Sequence, residues 1–217
     1  MHELDPVLRP TSIAVIGASR RPNTIGWQIL DNLLEHGFQG PVYPVNPRAR
    51  SIHSVPAFPS VADIPGEVDL AIIVVPKERV LGAALEAIDA GVKGMVVISA
   101  GFKEVGKDGL DRERELEEVI RDRGLRMVGP NCMGVINTEP HVRLNATFAS
   151  SLPSRGNVAF ISQSGALGEA ILADAARSGL GVAMFVSMGN RADITGNDLI
   201  IPVAGADEVI APEGFKS

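Results

Sequence analysis

The stretch Ser12–Leu34, SIAVIGASRRPNTIGWQILDNLL, decides the fold. Ser12 to Ile16 is a short, mostly apolar run that stops at Gly17. Ile25, Ile29, Leu30, Leu33 and Leu34 then recur on one face of a 3.6-residue period. A strand, a glycine turn and an amphipathic helix, in that order, open a parallel α/β unit. Gly37 and Gly40 end the helix, and Pro41 prevents its continuation.

The same alternation extends along the chain. Val42 to Val45 reads as a second strand, stopped by Asn46-Pro47. Asp69 to Val75 is apolar at nearly every position, as a strand buried on both faces should be. Lys77 to Ala90 carries the stripe Val80, Leu81, Ala84, Leu85 and Ile88 of a second helix. Met95 to Ile98 is a fourth strand, and Asp108 to Arg123 a charged helix with Leu116, Val119 and Ile120 inward. Arg126 to Val128 leads into Gly129-Pro130-Asn131-Cys132. Strands alternating with helices predict a parallel sheet covered on both sides, of Rossmann-like arrangement over residues 1–137. Ligands of such sheets sit beyond the carboxyl ends of the strands, where Gly17, Pro47, Pro76, Ser99 and Pro130 all fall.

Periodicity fades from 138 to 155, which reads as a linker. A second unit, 156–200, repeats the opening logic: strand Val158 to Ile161, turn Ser162-Gln163-Ser164-Gly165, helix Ala166 to Ser178, strand Val182 to Val186. It is too short for a complete domain, because one strand–helix–strand unit buries little area and leaves a sheet edge open. Residues 201–217 read as an irregular tail.

The composition is that of an ordinary soluble protein, with 45% hydrophobic and 21% charged residues among 217. Twenty-six acidic against 20 basic residues give a net charge of −6, which argues against nucleic acid as the main partner. The one cysteine, Cys132, forms no internal disulfide. MHELDPVLRP lacks the basic-then-apolar pattern of a secretory signal, and the longest apolar run, Leu70 to Val75, is too short to span a bilayer. The expected location is cytoplasmic, with no membrane partner. An oligomer is compatible with the sequence, and no metal site is expected.

Gly17-Ala18-Ser19-Arg20-Arg21 lies between strand and helix, where free helix-start amides favour an anionic phosphate. The alternative is a plain strand-to-helix turn. The run departs from the dinucleotide fingerprint G-x-G-x-x-G: Ser19 replaces the second glycine and Gly26 comes too late. The second strand ends in Asn46-Pro47-Arg48 rather than in the acid an NAD site uses. A base there suits a phosphorylated ribose, although Arg48 and Arg50 also fit a solvated surface. Gly17→Val is expected to block the phosphate approach without unfolding the domain. Ser162 or Ser164 could cap the later helix, or its start could hold phosphate.

Five segments, Ala14–Ser19, Tyr43–Pro47, Val74–Pro76, Ser99–Glu104 and Gly129–Gly134, resemble the CoA-binding domain of NDP-forming acyl-CoA synthetases, in the same order and at similar intervals. The likeness extends to about Ile200 and includes the α half of succinyl-CoA ligase. It implies an incomplete flavodoxin-like second domain. It also implies roles. Gly17, Ala18, Ser19, Arg20 and Arg21 would hold the phosphates of coenzyme A, Asn46 and Pro47 would contact the cofactor, and Arg48 would sit near its 3′-phosphate. Pro76 and Lys77 would flank the nucleotide. Ser99, Ala100, Gly101, Asn131 and Cys132 would line the pantetheine path. Ser162, Ser164 and Gly165 would form a phosphate-binding helix start facing a catalytic phosphohistidine. Cys132 alternatively reads as a buried structural thiol.

That histidine has no counterpart. His2, His36, His53 and His141 all precede Ser162, and nothing resembles an ATP-grasp domain. No catalytic residue is therefore assigned. The expectation is one part of a larger enzyme, whose complete reaction would be acid + CoA + ATP giving acyl-CoA, ADP and phosphate. ATP, ADP and Mg would enter only through a missing domain or an ATP-grasp β-type partner. Two other readings are a non-catalytic CoA-binding regulatory module and an NAD(P)-binding Rossmann oxidoreductase or redox sensor. Asn46 and the missing second glycine argue against NAD.

Overall fold

A computed structural model describes residues 2–200 and 208–210. After a short helix α1 (Asp5–Leu8) come β1 (Ile13–Ile16), α2 (Ile25–Glu35) and β2 (Val42–Val45). A small hairpin follows, β3 (Ser51–Ile52) and β4 (Val55–Pro56). Next come β5 (Leu70–Ile73), α3 (Lys77–Asp89), β6 (Gly94–Val97), α4 (Lys107–Asp122) and β7 (Arg126–Val128). The second half contains β8 (Gly134–Asn137), β9 (Leu144–Thr147), β10 (Arg155–Ser162), α5 (Gly165–Ser178), β11 (Val182–Ser187), α6 (Gly196–Ile200) and β12 (Glu208–Ile210).

The first sheet has the order β2-β1-β5-β6-β7, all parallel. Counted by themselves these strands run 2-1-3-4-5, a doubly wound order whose switch point lies between β1 and β5. Every residue of β1, β5 and β6 is buried, so successive side chains serve opposite faces. Ile13, Val15, Leu70, Ile72 and Val96 enter one core cluster with Ile29, Leu30 and Leu33 of α2. Ala14, Ile16, Ala71, Ile73, Met95 and Val97 enter another, with Val80 and Ala84 of α3 and Leu116 and Ile120 of α4. Most of the apolar stripes read from the sequence pack, but Ile25 and Leu34 at the two ends of the α2 stripe are exposed.

The second sheet runs β12-β10-β11-β8-β9, with β10 parallel to β11 and β12, and β8 antiparallel to β11 and β9. Residues 138–155 thus differ from the linker expected there. They contain β9, a full member of this sheet, and end where β10 begins. Each of β8 and β9 has only four residues, and the buried polar Asn137, Asn145 and Thr147 interrupt any apolar pattern. The expected irregular tail contains β12, and its remaining residues lie outside the described ones.

The two sheets share a core. Val135, Ala146, Ile161, Met184 and Val186 of the second sheet join the cluster formed by one face of the first. Asn32 of α2 donates its side-chain amide to the carbonyls of Thr147 (2.8 Å) and Ala149 (3.1 Å). The second sheet and α2 together cover the face that a further layer of helices covers in a free-standing doubly wound domain. The opposite face of the second sheet carries α5, with Phe160, Leu172 and Phe185 between them.

Candidate functional site

A cleft of about 380 Å³ opens beyond the carboxyl ends of the first sheet. Its walls come from the start of α2 (Ile25), the segments after β5 (Val74, Val75, Pro76, Lys77) and β6 (Ile98, Ser99, Ala100), and Asn131 and Cys132 after β7. Phe148, just past β9, closes one side. Six residues singled out from sequence, Pro76, Lys77, Ser99, Ala100, Asn131 and Cys132, therefore line one cavity. Gly101 stands beside it, with Lys77's aliphatic stem against its Cα.

The junction between β1 and α2 forms the lip. Gly17 has φ +94°, and a Cβ there would lie 2.2 Å from the Val74 carbonyl oxygen. Glycine is required here because the turn presses against the end of β5. This corrects the reading of Gly17→Val: the valine would collide with backbone. Gly26 has a related role that the fingerprint comparison missed. A Cβ on it would lie 2.3 Å from the Gly17 carbonyl oxygen, so it lets the first turn of α2 sit on the loop. Thr24, the residue before α2, makes no side-chain cap; its hydroxyl instead donates to the Arg21 carbonyl at 2.8 Å. Ser19 accepts from the Arg21 amide at 3.1 Å, and Ala18 is buried, while Arg20 and Arg21 are exposed.

Asn46 holds this loop from the side. Its amide donates to the Ala18 carbonyl at 2.7 Å, and its carbonyl oxygen accepts the Arg48 amide at 2.8 Å. An aspartate could not make the first of these bonds, because an ionised carboxylate has no proton to donate. Pro47 and Arg48 are exposed next to it.

The deeper residues are tied to one another. Ser99 donates its hydroxyl proton to the Val75 carbonyl at 2.6 Å, and the Asn131 amide donates to the Ser99 carbonyl at 3.0 Å. The Cys132 thiol is buried and points at the Val97 carbonyl, 3.3 Å away. Burial pushes it up to about 12, with backbone hydrogen bonds only partly opposing. Burial of this kind suits a structural thiol, and Cys132 lines the cleft as well.

Ser162, Ser164 and Gly165 lie elsewhere, at the start of α5. Ser164 is its N-cap and accepts the Leu167 amide at 3.3 Å. Ser162 is buried, and its hydroxyl donates to the Ser164 carbonyl at 3.0 Å. Among the four histidines, His53 is not a simple loop residue. Its ring packs against Trp27 with centroids 4.8 Å apart and planes tilted by 43°, and its Nδ1 lies 3.3 Å from Asp31. A second cleft of about 340 Å³, lined by His36, Asn145, Arg143 and Arg155 among others, contains none of the predicted site residues.

A doubly wound sheet with a partly apolar cleft at its carboxyl edge is the arrangement in which nucleotide-type cofactors are commonly held. Residues 11–138 match the family described as CoA binding domain, and residues 155–210 match the succinyl-CoA ligase-like flavodoxin domain. The chain belongs to the first of these families and continues into the second. It is 48% identical over 205 residues to the ADP-forming acetate–CoA ligase II subunit alpha of Pyrococcus furiosus, covering 94% of this chain and 44% of that protein. It is 38% identical over 195 residues to the ADP-forming 4-hydroxybutyrate–CoA ligase of Nitrosopumilus maritimus, covering 90% of this chain and 28% of the relative. Among solved structures, the dinucleotide-forming acetyl-coenzyme A synthetase 1 of Ca. Korarchaeum cryptofilum, in complex with phosphate and ADP, superimposes with a TM-score of 0.93 at 43% identity. That match covers 100% of this chain and 47% of the other. The chain thus spans less than half the length of these relatives. Among the described residues no helix is long and apolar enough to cross a membrane.

Proposed function

We propose that this chain is the CoA-holding part of an ADP-forming acyl-CoA ligase, and that the cleft at the carboxyl edge of the first sheet is where coenzyme A binds. The observation that carries this reading is the convergence of four loops on one cleft beside an uncapped helix start. Ile25, Val74, Val75, Ile98 and Phe148 offer apolar wall to the pantetheine arm or the adenine. Lys77, Ser99 and Asn131 add polar points. In the loop Gly17, Ala18, Ser19, Arg20 and Arg21, the amides of Gly17, Ala18 and Arg21 already serve Val45, Val15 and Ser19, so the amides of Ser19 and Arg20 and the two exposed arginine cations are what the loop offers the diphosphate. Arg48, exposed beside Asn46, suits the 3′-phosphate. The donor set fits an anionic cofactor with an apolar arm. When bound, coenzyme A supplies the thiol that accepts the acyl group; these residues hold and orient it.

Acyl-CoA formation from acid, CoA and ATP belongs to the complete assembly. ATP, ADP and Mg then act in an ATP-grasp β-type partner or a fused domain. Ser162, Ser164 and Gly165 are the phosphate-facing helix start of the second unit in this reading. The acid is chosen outside this chain, which agrees with relatives named for acetate and for 4-hydroxybutyrate both matching it along nearly all of its residues.

Titration calorimetry with CoA, dephospho-CoA, NAD and NADP tests the proposal. Saturable binding of CoA, weakened when the 3′-phosphate is absent, is expected. Binding of NAD without CoA would overturn the reading. Equal affinity for CoA and dephospho-CoA would remove the role given to Arg48.

A further inference from the structure

Asn190 lies in the loop after β11, in the second half of the chain, and is 8% exposed. All its polar groups are engaged by the first half. Its main-chain amide donates to the Pro130 carbonyl at 2.8 Å. Its carbonyl oxygen accepts the ammonium group of Lys103. Its side-chain nitrogen donates to Glu104 and to Glu113, both at 2.7 Å. Its side-chain oxygen faces the Asn131 amide at 3.3 Å.

These partners matter because of where they lead. Glu104 accepts the Gly101 amide at 2.5 Å and the Phe102 amide at 3.1 Å, so it sets the turn that follows Ser99 and Ala100 in the cleft wall. Burial pushes the Glu104 carboxyl up, but bonds from Asn190 and from the Gly101 and Phe102 amides outweigh it and hold the group below its usual range. Glu113 is 4% exposed and also accepts the Lys103 ammonium at 3.0 Å. Asn131 is itself a cleft residue, and Pro130 precedes it. One buried amide from the second half therefore fastens the two loops, after β6 and after β7, that form one side of the cleft.

Only an amide suits this position. Two carboxylates converge on the Asn190 nitrogen, which supplies two protons, while the oxygen meets a donor. An aspartate would face both carboxylates with a third negative charge. A buried polar group with every bond made fixes one arrangement of its neighbours.

We infer that Asn190 is a positioning residue for the cleft, so that the second half of the chain completes the ligand site of the first. The inference rests on the reading of the cleft as the CoA site. Preorganised walls bind without a further ordering cost, and a loosened wall incurs one.

The test uses the full chain with Asn190→Ala, Glu104→Gln and the double variant. Wild-type CoA binding is measured alongside by calorimetry. Asn190→Ala is expected to lower CoA affinity about tenfold. Glu104 is exposed and lies in a single 3-10 turn (Lys103–Val105), so Glu104→Gln keeps the fold and answers the question if Asn190→Ala does not fold. In Glu104→Gln an amide donor replaces the acceptor that faces Asn190, and affinity falls by a similar factor. The double variant is expected to lose less than the product of the two single losses. Independent, multiplicative losses, or undiminished affinity in folded variants, overturn the inference. Nuclear magnetic resonance of the ligand-free protein gives a reading that bulk stability does not move. The amide signals of Gly101, Phe102 and Asn131 should shift in Asn190→Ala while those of α5 remain. If the wild type does not bind CoA, the cofactor reading falls, and this second measurement alone decides: unmoved Gly101 and Asn131 signals then reject the positioning role.

Discussion

The molecule contains two strand–glycine turn–helix junctions, β1 to α2 and β10 to α5, and they differ in how the helix start is used. At the first, Thr24 turns its hydroxyl back to the Arg21 carbonyl and leaves α2 without a side-chain cap. Two arginines stand exposed in the loop before it. At the second, Ser164 caps α5, Ser162 closes the turn against Ser164, and no arginine or lysine lies between β10 and α5. The first junction combines exposed cations with a helix start that lacks a side-chain cap. The second spends its hydroxyls on its own helix. Similar local patterns thus carry different capacities, and the side-chain cap marks the difference.

Three experiments can break or sharpen that contrast. The largest effect is expected from Gly17→Val, whose Cβ would meet the Val74 carbonyl at 2.2 Å in a left-handed backbone conformation. A loss of roughly 3 kcal/mol or more in urea unfolding is expected. Stability equal to wild type would show that the first turn is held by its ligand role and not by contact with β5.

A smaller effect, confined to binding, is expected from Arg20→Ala combined with Arg21→Ala. Both side chains are exposed, so stability should stay within about 0.5 kcal/mol of wild type. CoA affinity should fall about tenfold, with a weaker dependence on salt, because charge-assisted contacts to phosphate are removed. An unchanged affinity would put the first junction in the same class as the second.

The smallest effect separates the two helix starts by stability alone. Ser164→Ala should cost about 1 kcal/mol, the ordinary value of a lost N-cap, and leave CoA affinity unaltered. Thr24→Ala removes no cap and should change stability less. Equal losses in the two variants would erase the distinction.

Much of this architecture was legible in the chain. β1, β5 and β6 announce themselves because strands buried on both faces must be apolar throughout, and α2, α3 and α4 because each shows one apolar stripe. The cleft residues were legible through motif order: Pro76, Ser99 and Asn131 follow strand ends, and strand ends of a parallel sheet converge on one edge. β8 and β9 were not legible. They are four residues each, their buried polar side chains break the apolar pattern, and Asn137 finds its partner far away in sequence, donating to the Leu8 carbonyl at 2.9 Å. Burial through a distant hydrogen bond leaves no local period. Asn190 was not legible either, for the same reason: its five partner residues lie at least 59 positions away.

The sequence by itself determined the layers, the strand-to-helix order and the edge at which a ligand would sit, because apolar periodicity and turn residues act over a few neighbours. Only the tertiary structure decided that the two halves share one core, that Gly17 serves packing, and that Ser164 is already occupied. Those outcomes depend on which groups meet across long sequence separations. A donor's partner, unlike its type, is a property of the folded chain.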